Sequence, residues 1–113
     1  MTVASAELYD PTTGMWATTG NMLQGRERFT ATLLRNGKVL VAGGDYYDGV
    51  NAGVLTESEI YDPTVGTWSA TVSMNTPRFG SKAVLLGNGK VLEAGGDPDF
   101  SDTPTASAEL YTP

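Results

Sequence analysis

The chain has 113 residues, with seven lysines and arginines against thirteen aspartates and glutamates, and with neither histidine nor cysteine. A net charge of −6 argues against nucleic acid and anionic membranes as partners. Without histidine and cysteine there is no disulfide, no imidazole or thiolate metal site, and no catalytic triad that needs imidazole. The fourteen glycines and six prolines favour short strands and tight turns, and no α-helix longer than one turn is expected.

An internal repeat organises the sequence. Residues 7–45 align with residues 59–97 at an offset of 52, and 22 of these 39 positions are identical. A third copy begins at Ser107 and stops at Pro113. Because a period near 50 residues is that of one four-stranded propeller blade, the repeat predicts an all-β fold of antiparallel blades.

The first copy predicts four strands in chain order. Alternating apolar residues indicate strand C at Ala6–Tyr9, and an Asp-Pro-Thr-x-Gly turn over Asp10–Gly14 leads into strand D, which opens at Trp16. Strand A is predicted at Phe29–Leu34 and strand B at Lys38–Ala42. The Asn-Gly dipeptide between A and B predicts a two-residue type I′ hairpin.

The second copy repeats this order, and the third contributes one more strand C. The corresponding segments are Ser58–Tyr61, a strand opening at Trp68, Ser81–Leu86, Lys90–Ala94 and Ala108–Tyr111. Nine strands in the order C, D, A, B, C, D, A, B, C make two blades plus one extra strand. Residues 1–25 are then strands C and D of a split blade, residues 26–76 a complete blade, and residues 77–113 strands A, B and C of the next.

These repeats resemble kelch repeats, most closely those of bacterial proteins and galactose-oxidase-like propellers. A glycine pair follows strand B, and a Trp lies seven residues beyond a Tyr. The residues that carry the resemblance are Gly43, Gly44, Gly95, Gly96, Tyr9, Tyr61, Trp16 and Trp68. The recurrent aromatics are interpreted as core between blades. The family often has His early in strand A, where this chain has Phe29 and Ser81.

The resemblance implies a non-catalytic binding or scaffold module with no cofactor and no metal. Copper chemistry of the galactose-oxidase kind uses His ligands and a Cys-crosslinked Tyr, so it cannot reside in this chain. A purely structural self-assembling unit without a ligand is one alternative. A fragment of a larger secreted carbohydrate-binding propeller is another.

Two blades leave apolar faces open to water, which predicts assembly of the chain with itself. Kelch propellers, by resemblance, usually have six or seven blades, so three copies completing a six-bladed ring are the simplest homo-oligomer. Ala4–Tyr9 and Ala106–Tyr111 have the same sequence, so two copies of strand C would compete for one position in such a ring.

The candidate ligand-binding residues lie on the long B–C loops and at the start of strand A. Aromatic side chains there could stack on a carbohydrate or peptide, the aspartates could bind Ca²⁺, or the loops could simply be acidic turns. The arginines could capture carboxylates near the central channel, or could pair with Asp45, Asp97 or strand-end carbonyls. The residues are Arg26, Arg78, Asp45, Tyr46, Tyr47, Asp48, Asp97, Asp99, Phe100 and Asp102.

Localisation stays open at this stage. No apolar run reaches the roughly 20 residues of a membrane span, and no signal peptide is expected after Met1. The absence of cysteine fits both a reducing cytoplasm and many secreted bacterial proteins.

Overall fold

The computed structural model describes residues 1–113 and contains strands, turns and loops but no helix. The expected all-β fold is confirmed. No helix is available that could cross a lipid bilayer. The strands are β1 (Glu7–Asp10), β2 (Met15–Thr18), β3 (Thr30–Leu33), β4 (Val39–Ala42), β5 (Asp45–Tyr47), β6 (Ala52–Val54), β7 (Ser58–Asp62), β8 (Thr67–Thr71), β9 (Lys82–Leu85), β10 (Val91–Ala94) and β11 (Ala108–Tyr111).

Nine of these strands form three antiparallel sheets in the order that the repeat predicts. The first sheet contains only β1 and β2. The middle sheet has the order β3-β4-β7-β8, which is a complete four-stranded blade. In the third sheet β10 lies between β9 and β11. One edge of β1 therefore has no strand beside it, because β1 pairs with β2 alone.

The remaining two strands were not predicted. β5 and β6 pair in antiparallel fashion as a small hairpin within the first B–C connection, with Tyr46 opposite Gly53. The sequence predicted only a long B–C loop here, which is wrong for residues 45–54. Its strands have only three residues each, too short to establish an alternating pattern.

The C–D turns have the predicted conformation, whereas the Asn-Gly turns between strands A and B do not. Gly14 and Gly66 close the C–D turns with φ near +71° and +73°, as expected for left-handed glycine. The Asn-Gly hairpins are not type I′, because Gly37 and Gly89 alone have positive φ. Instead the Leu34 N–H donates a 2.8 Å hydrogen bond to the carbonyl of Lys38, so the loop has three residues and its last is the left-handed glycine.

Glycine is required after strand B for two physical reasons, a positive φ and the close approach of another backbone segment. Gly43, Gly44, Gly95 and Gly96 all have positive φ. In addition, a Cβ atom on Gly43 would lie 2.6 Å from the carbonyl oxygen of Arg78, which is closer than real side chains approach. The pair in the middle sheet therefore admits the incoming D–A connection of the next blade.

The apolar core lies between the middle and third sheets. Leu34, Leu40 and Val91 are buried together at its centre. The partly buried side chains around them come from both sheets, which is how neighbouring blades supply each other's core. They are Ile60, Ala83, Leu85 and Tyr111.

The recurrent Tyr and Trp residues differ between copies. Tyr61 is buried and Trp68 partly buried against the first sheet. The Tyr61 hydroxyl lies 2.7 Å from Thr19 Oγ1, and Trp68 Nε1 donates to the carbonyl of Gly20 at 2.9 Å. Tyr9 and Trp16 are 51% and 65% exposed within the single chain, so their place in a core between blades stays a prediction. Their side of the first sheet has no blade packed against it.

Candidate binding surface

Arg26 is a structural residue rather than an exposed ligand group. Its side chain is fully buried, and its Nη1 donates to the carbonyls of Gly43 at 2.7 Å and Glu57 at 2.9 Å. Nη2 donates to the Glu59 carboxylate at 2.7 Å. Of the two alternatives for this arginine, the structure shows pairing with strand-end carbonyls rather than an open site near the central channel, and its carboxylate partner is Glu59 rather than Asp45.

Arg78 makes the equivalent contacts one blade further on. Nη1 donates to the carbonyls of Gly95 at 2.9 Å and Ser107 at 2.8 Å, and Nη2 donates to Glu109 at 3.1 Å. Burial by itself raises the pKa of Glu109, but hydrogen bonds from the backbone of Asn75 and Thr76 and from Arg78 outweigh it, so the pKa is lowered. Here too the arginine is enclosed and is not available to a ligand.

Each of these glutamates also holds the chain that enters its blade. Glu59 accepts hydrogen bonds from the backbone N–H groups of Leu23 at 2.6 Å and Gln24 at 3.2 Å. Glu109 accepts the corresponding bonds from Asn75 and Thr76. We call this set of contacts the Arg–Glu clamp: the arginine before strand A, the glutamate of strand C, and the two N–H groups of the D–A connection.

Asp45 pairs with Arg28, a residue that the sequence analysis did not single out. Arg28 Nε lies 2.9 Å from Asp45 Oδ1, and Arg28 Nη2 lies 2.5 Å from Asp45 Oδ2. The hydrogen bond to Asp45 raises the pKa of Arg28 above its usual value. Asp45 is buried, whereas half of the Arg28 side chain remains exposed. A bidentate pair therefore fixes a guanidinium group at the surface.

The Arg28 guanidinium is also the first of three planar groups that stack in series. The Arg28 guanidinium carbon is 4.3 Å from the centre of the Phe79 ring, a cation–π distance. The rings of Phe79 and Phe100 are 5.6 Å apart and tilted by 34°. Phe79 is nearly buried and Phe100 is 55% exposed. The Arg28–Phe79–Phe100 stack thus joins the middle sheet to the second B–C loop.

The first B–C loop presents Tyr47 beside a tightly bonded turn. The Asp48 carboxylate accepts hydrogen bonds from the backbone of Val50 at 2.9 Å and Asn51 at 2.7 Å. These bonds, led by the one from Asn51, lower the pKa of Asp48. The Tyr47 ring is half exposed and its hydroxyl donates to the carbonyl of Gly49 at 3.1 Å. Tyr46 lies against Gly53, across the β5–β6 hairpin.

The acidic residues of the loops do not converge. Asp97 forms an isolated backbone bridge with Phe79, and Asp99 accepts a hydrogen bond from the backbone of Ser101 at 2.9 Å. Hydrogen bonding from Ser101 lowers the pKa of Asp99. Asp102 is exposed, with φ of +63°. No group of three or more acidic side chains lies close enough together to hold a metal ion.

One perturbed carboxylate lies away from the loops. Glu93 on β10 is 2% exposed, and its carboxylate accepts hydrogen bonds from the hydroxyls of Thr30 and Ser81. Burial raises the pKa of Glu93, and the two hydroxyls oppose that rise. Its matched residue in the first copy is Val41, which is equally buried.

One known protein is similar to this chain in sequence, and one solved structure is similar to it in fold. An F-box/kelch-repeat protein of Arabidopsis thaliana is 35% identical over 111 residues, which are 96% of this chain and 28% of that protein. The solved structure of YjhT matches 73% of this chain and 24% of its own, with a TM-score of 0.65 and 21% identity. No protein-family model matches the chain.

The chain is composed of β-propeller blades. More specifically, its repeats are of the kelch type, as the recurrent glycine pairs, tyrosines and tryptophans indicated. It spans about a quarter of the length of each of these two proteins.

Two functional residue sets were missed in the sequence, for different reasons. The clamp glutamates had a visible signal, since Glu7, Glu59 and Glu109 stand two residues before Tyr in all three copies. Arg28 had no such signal, because the second copy has Gly80 at the matched position.

Proposed function

We propose that the chain is a non-catalytic binding and scaffold module that assembles with copies of itself and recognises a peptide or a carbohydrate through its loop surface. Residues 1–25, 26–76 and 77–113 act as its three units: a split blade, a complete blade and part of a third. Three copies give a six-bladed ring. Kelch-repeat proteins generally mediate protein–protein binding, which favours a peptide as the first ligand to test.

The Arg28–Phe79–Phe100 stack is the observation that carries this proposal. It combines an exposed aromatic ring with a half-exposed guanidinium whose Nη1 is not used by Asp45. Such a surface can stack on a planar or apolar group and donate hydrogen bonds to an oxygen acceptor. Tyr47 and the acidic turns extend the surface. Arg26 and Arg78 have no part in it because both are buried.

The position of the perturbed carboxylates supports a non-catalytic role. Glu93, whose pKa is raised, lies enclosed between sheets rather than in an open cleft. Asp45 is bonded to Arg28, and Asp48 and Asp99 are bonded within turns. A general acid has to reach a substrate, and the one carboxylate whose pKa is raised, that of Glu93, belongs to a residue only 2% exposed.

Phe100→Ala tests the loop surface. The assembled protein would be screened against peptide and glycan arrays, and the best binder titrated calorimetrically against the variant. We expect at least tenfold weaker binding, since the exposed member of the stack is lost. Val65→Ala removes an equally exposed apolar side chain from a C–D turn and is the matched control. No binding to either array would favour the purely structural alternative.

A further inference from the structure

β1 and β11 are equivalent strands in two different blades, and they lie in segments of identical sequence. Ala4–Tyr9 and Ala106–Tyr111 have the same six residues, and both form strand C of a blade. β11 pairs with β10 in the third sheet, whereas the equivalent edge of β1 is unpaired. A strand of this sequence therefore already fits beside β10, and a second strand of the same sequence, β1, has a free edge on the side away from β2.

Glu7 is the member of its clamp that lacks an arginine. Glu59 and Glu109 each bind an arginine and two backbone N–H groups, but Glu7 is exposed and makes no hydrogen bond or ion pair within the chain. Arg78 with the N–H groups of Asn75 and Thr76 forms the site that such a glutamate fits. In this chain Glu109 occupies it.

We propose that β1 of a second copy of this chain displaces β11 and completes the third sheet, with Glu7 of that copy entering the clamp of Arg78. This inference rests on the self-assembly proposed above and specifies its interface. β2 of the second copy then becomes the fourth strand, strand D, which the third sheet lacks. β11 is the strand that holds this position until a second copy arrives.

The residues around the site fit the incoming hairpin. The Tyr111 hydroxyl lies 2.9 Å from Thr71 Oγ1, and Tyr9 of a second copy would take that position. Trp68 bonds the carbonyl of Gly20, whose counterpart in the next blade is Val72. Val72 is 69% exposed and would be covered by Trp16 of the second copy. β11 alone brings no tryptophan, so the hairpin buries more apolar surface than the strand it replaces.

Cysteine pairs test the exchange directly, because the chain has no cysteine of its own. Leu92 lies opposite Leu110 in the present sheet, so Leu8 of an exchanged copy would lie opposite Leu92. Facing residues of antiparallel strands are about 4.5–5.5 Å apart at Cα, within disulfide range. We expect the variant Leu8→Cys/Leu92→Cys to form disulfides between copies under mild oxidation, measured on a non-reducing gel.

The matched control is Leu8→Cys/Val84→Cys. Val84 is opposite Leu92 on the other side of β10, so it would be two strands, or about 9–10 Å, from Leu8 of the second copy. Ordered exchange predicts at least ten times more linked product from Leu92 than from Val84. Equal yields would indicate random collision and overturn the proposal. The variant Leu92→Cys/Leu110→Cys should link within one chain and confirms that the sheet is formed.

Light scattering on the unmodified chain distinguishes the exchange of β1 for β11 from self-assembly in general, on which the exchange rests. An oligomeric mass without the Leu8–Leu92 link would overturn the exchange and leave self-assembly standing. A single-chain mass at every concentration would overturn both. The variant Glu7→Gln is a second test. We expect the dissociation constant between copies of the chain to rise at least tenfold, while the free energy of unfolding of the single chain is unchanged.

Discussion

Two copies of one aromatic pair show how much of this fold is local and how much depends on a neighbour. Tyr9 and Trp16 have ring centres 5.2 Å apart at 50°, and Tyr61 and Trp68 have ring centres 5.0 Å apart at the same angle. The C–D hairpin therefore sets the geometry within each pair. Burial differs because only the second pair has a blade against it, and that blade supplies Thr19 and Gly20. The same residues are core in one sheet and surface in another.

The sharpest test of this comparison uses the clamp glutamates. Glu59→Ala leaves Arg26 buried without its carboxylate, and losing one partner of a buried ion pair costs roughly 3–5 kcal/mol. Glu7→Ala removes an exposed side chain without contacts, so we expect a change within about 0.5 kcal/mol. Urea unfolding of both variants at low protein concentration gives the two values. Equal losses would contradict the distinction between the sheets.

The tryptophans give the next largest difference. Trp68→Ala removes a partly buried ring and its hydrogen bond to Gly20, for which we expect a loss of about 2–4 kcal/mol. Trp16→Ala should cost less than about 1 kcal/mol, because the ring is largely exposed. Thermal and urea unfolding monitored by circular dichroism would measure both. A loss below 1 kcal/mol for Trp68 would remove it from the interface between blades.

The last comparison concerns pH and the matched residues Glu93 and Val41. Burial raises the pKa of Glu93 in the folded chain, so the folded state binds this proton more tightly than the unfolded state does. The resulting contribution to stability is complete below the unfolded-state pKa of about 4.3. That contribution is lost as the pH rises through the folded-state pKa. Glu93→Gln does not titrate, so its stability relative to the parent chain should increase from pH 4 to pH 7.

Val41→Ala is the control for this experiment, since it alters an equally buried site without a titrating group. Its stability difference from the parent should stay constant over the same pH range, as followed by urea midpoints. Arg78 and Glu109, which also influence Glu93, are unchanged in both variants. A Glu93→Gln difference that is flat with pH would mean that the carboxylate ionises freely in the folded chain.

The sheets could be predicted from the sequence because their signals are local. Alternating apolar residues and left-handed glycines such as Gly14 and Gly66 depend on neighbouring residues alone. The Asn-Gly turns were misjudged because Gly37 satisfies a three-residue loop as well as a two-residue one. A dipeptide does not distinguish between them.

The proposed binding surface could be predicted only in outline. Phe100 lies on a long B–C loop, as strand order predicts, but the contacts of the surface join residues far apart in the chain. Arg28 contacts Asp45 across one hairpin and Phe79 across a whole blade. Neither contact corresponds to a residue spacing that a sequence pattern would reveal. The pairing of Arg26 with Glu59 was likewise hidden, because Asp45 stood at an equally plausible position in the sequence.

Arg28 also shows where the two copies have diverged. Its φ is +53° where the matched Gly80 has +68°, a backbone region that disfavours an L side chain by roughly 1–2 kcal/mol. Residues 27–30 differ from residues 79–82 at every position, whereas residues 36–40 and 88–92 are identical. The two copies therefore differ in sequence at the end of the blade where strand A begins and are identical at the A–B hairpin on the opposite end. The chain presents one scaffold with two different chemistries, so a ligand bound across both blades would meet an asymmetric surface despite the internal repeat.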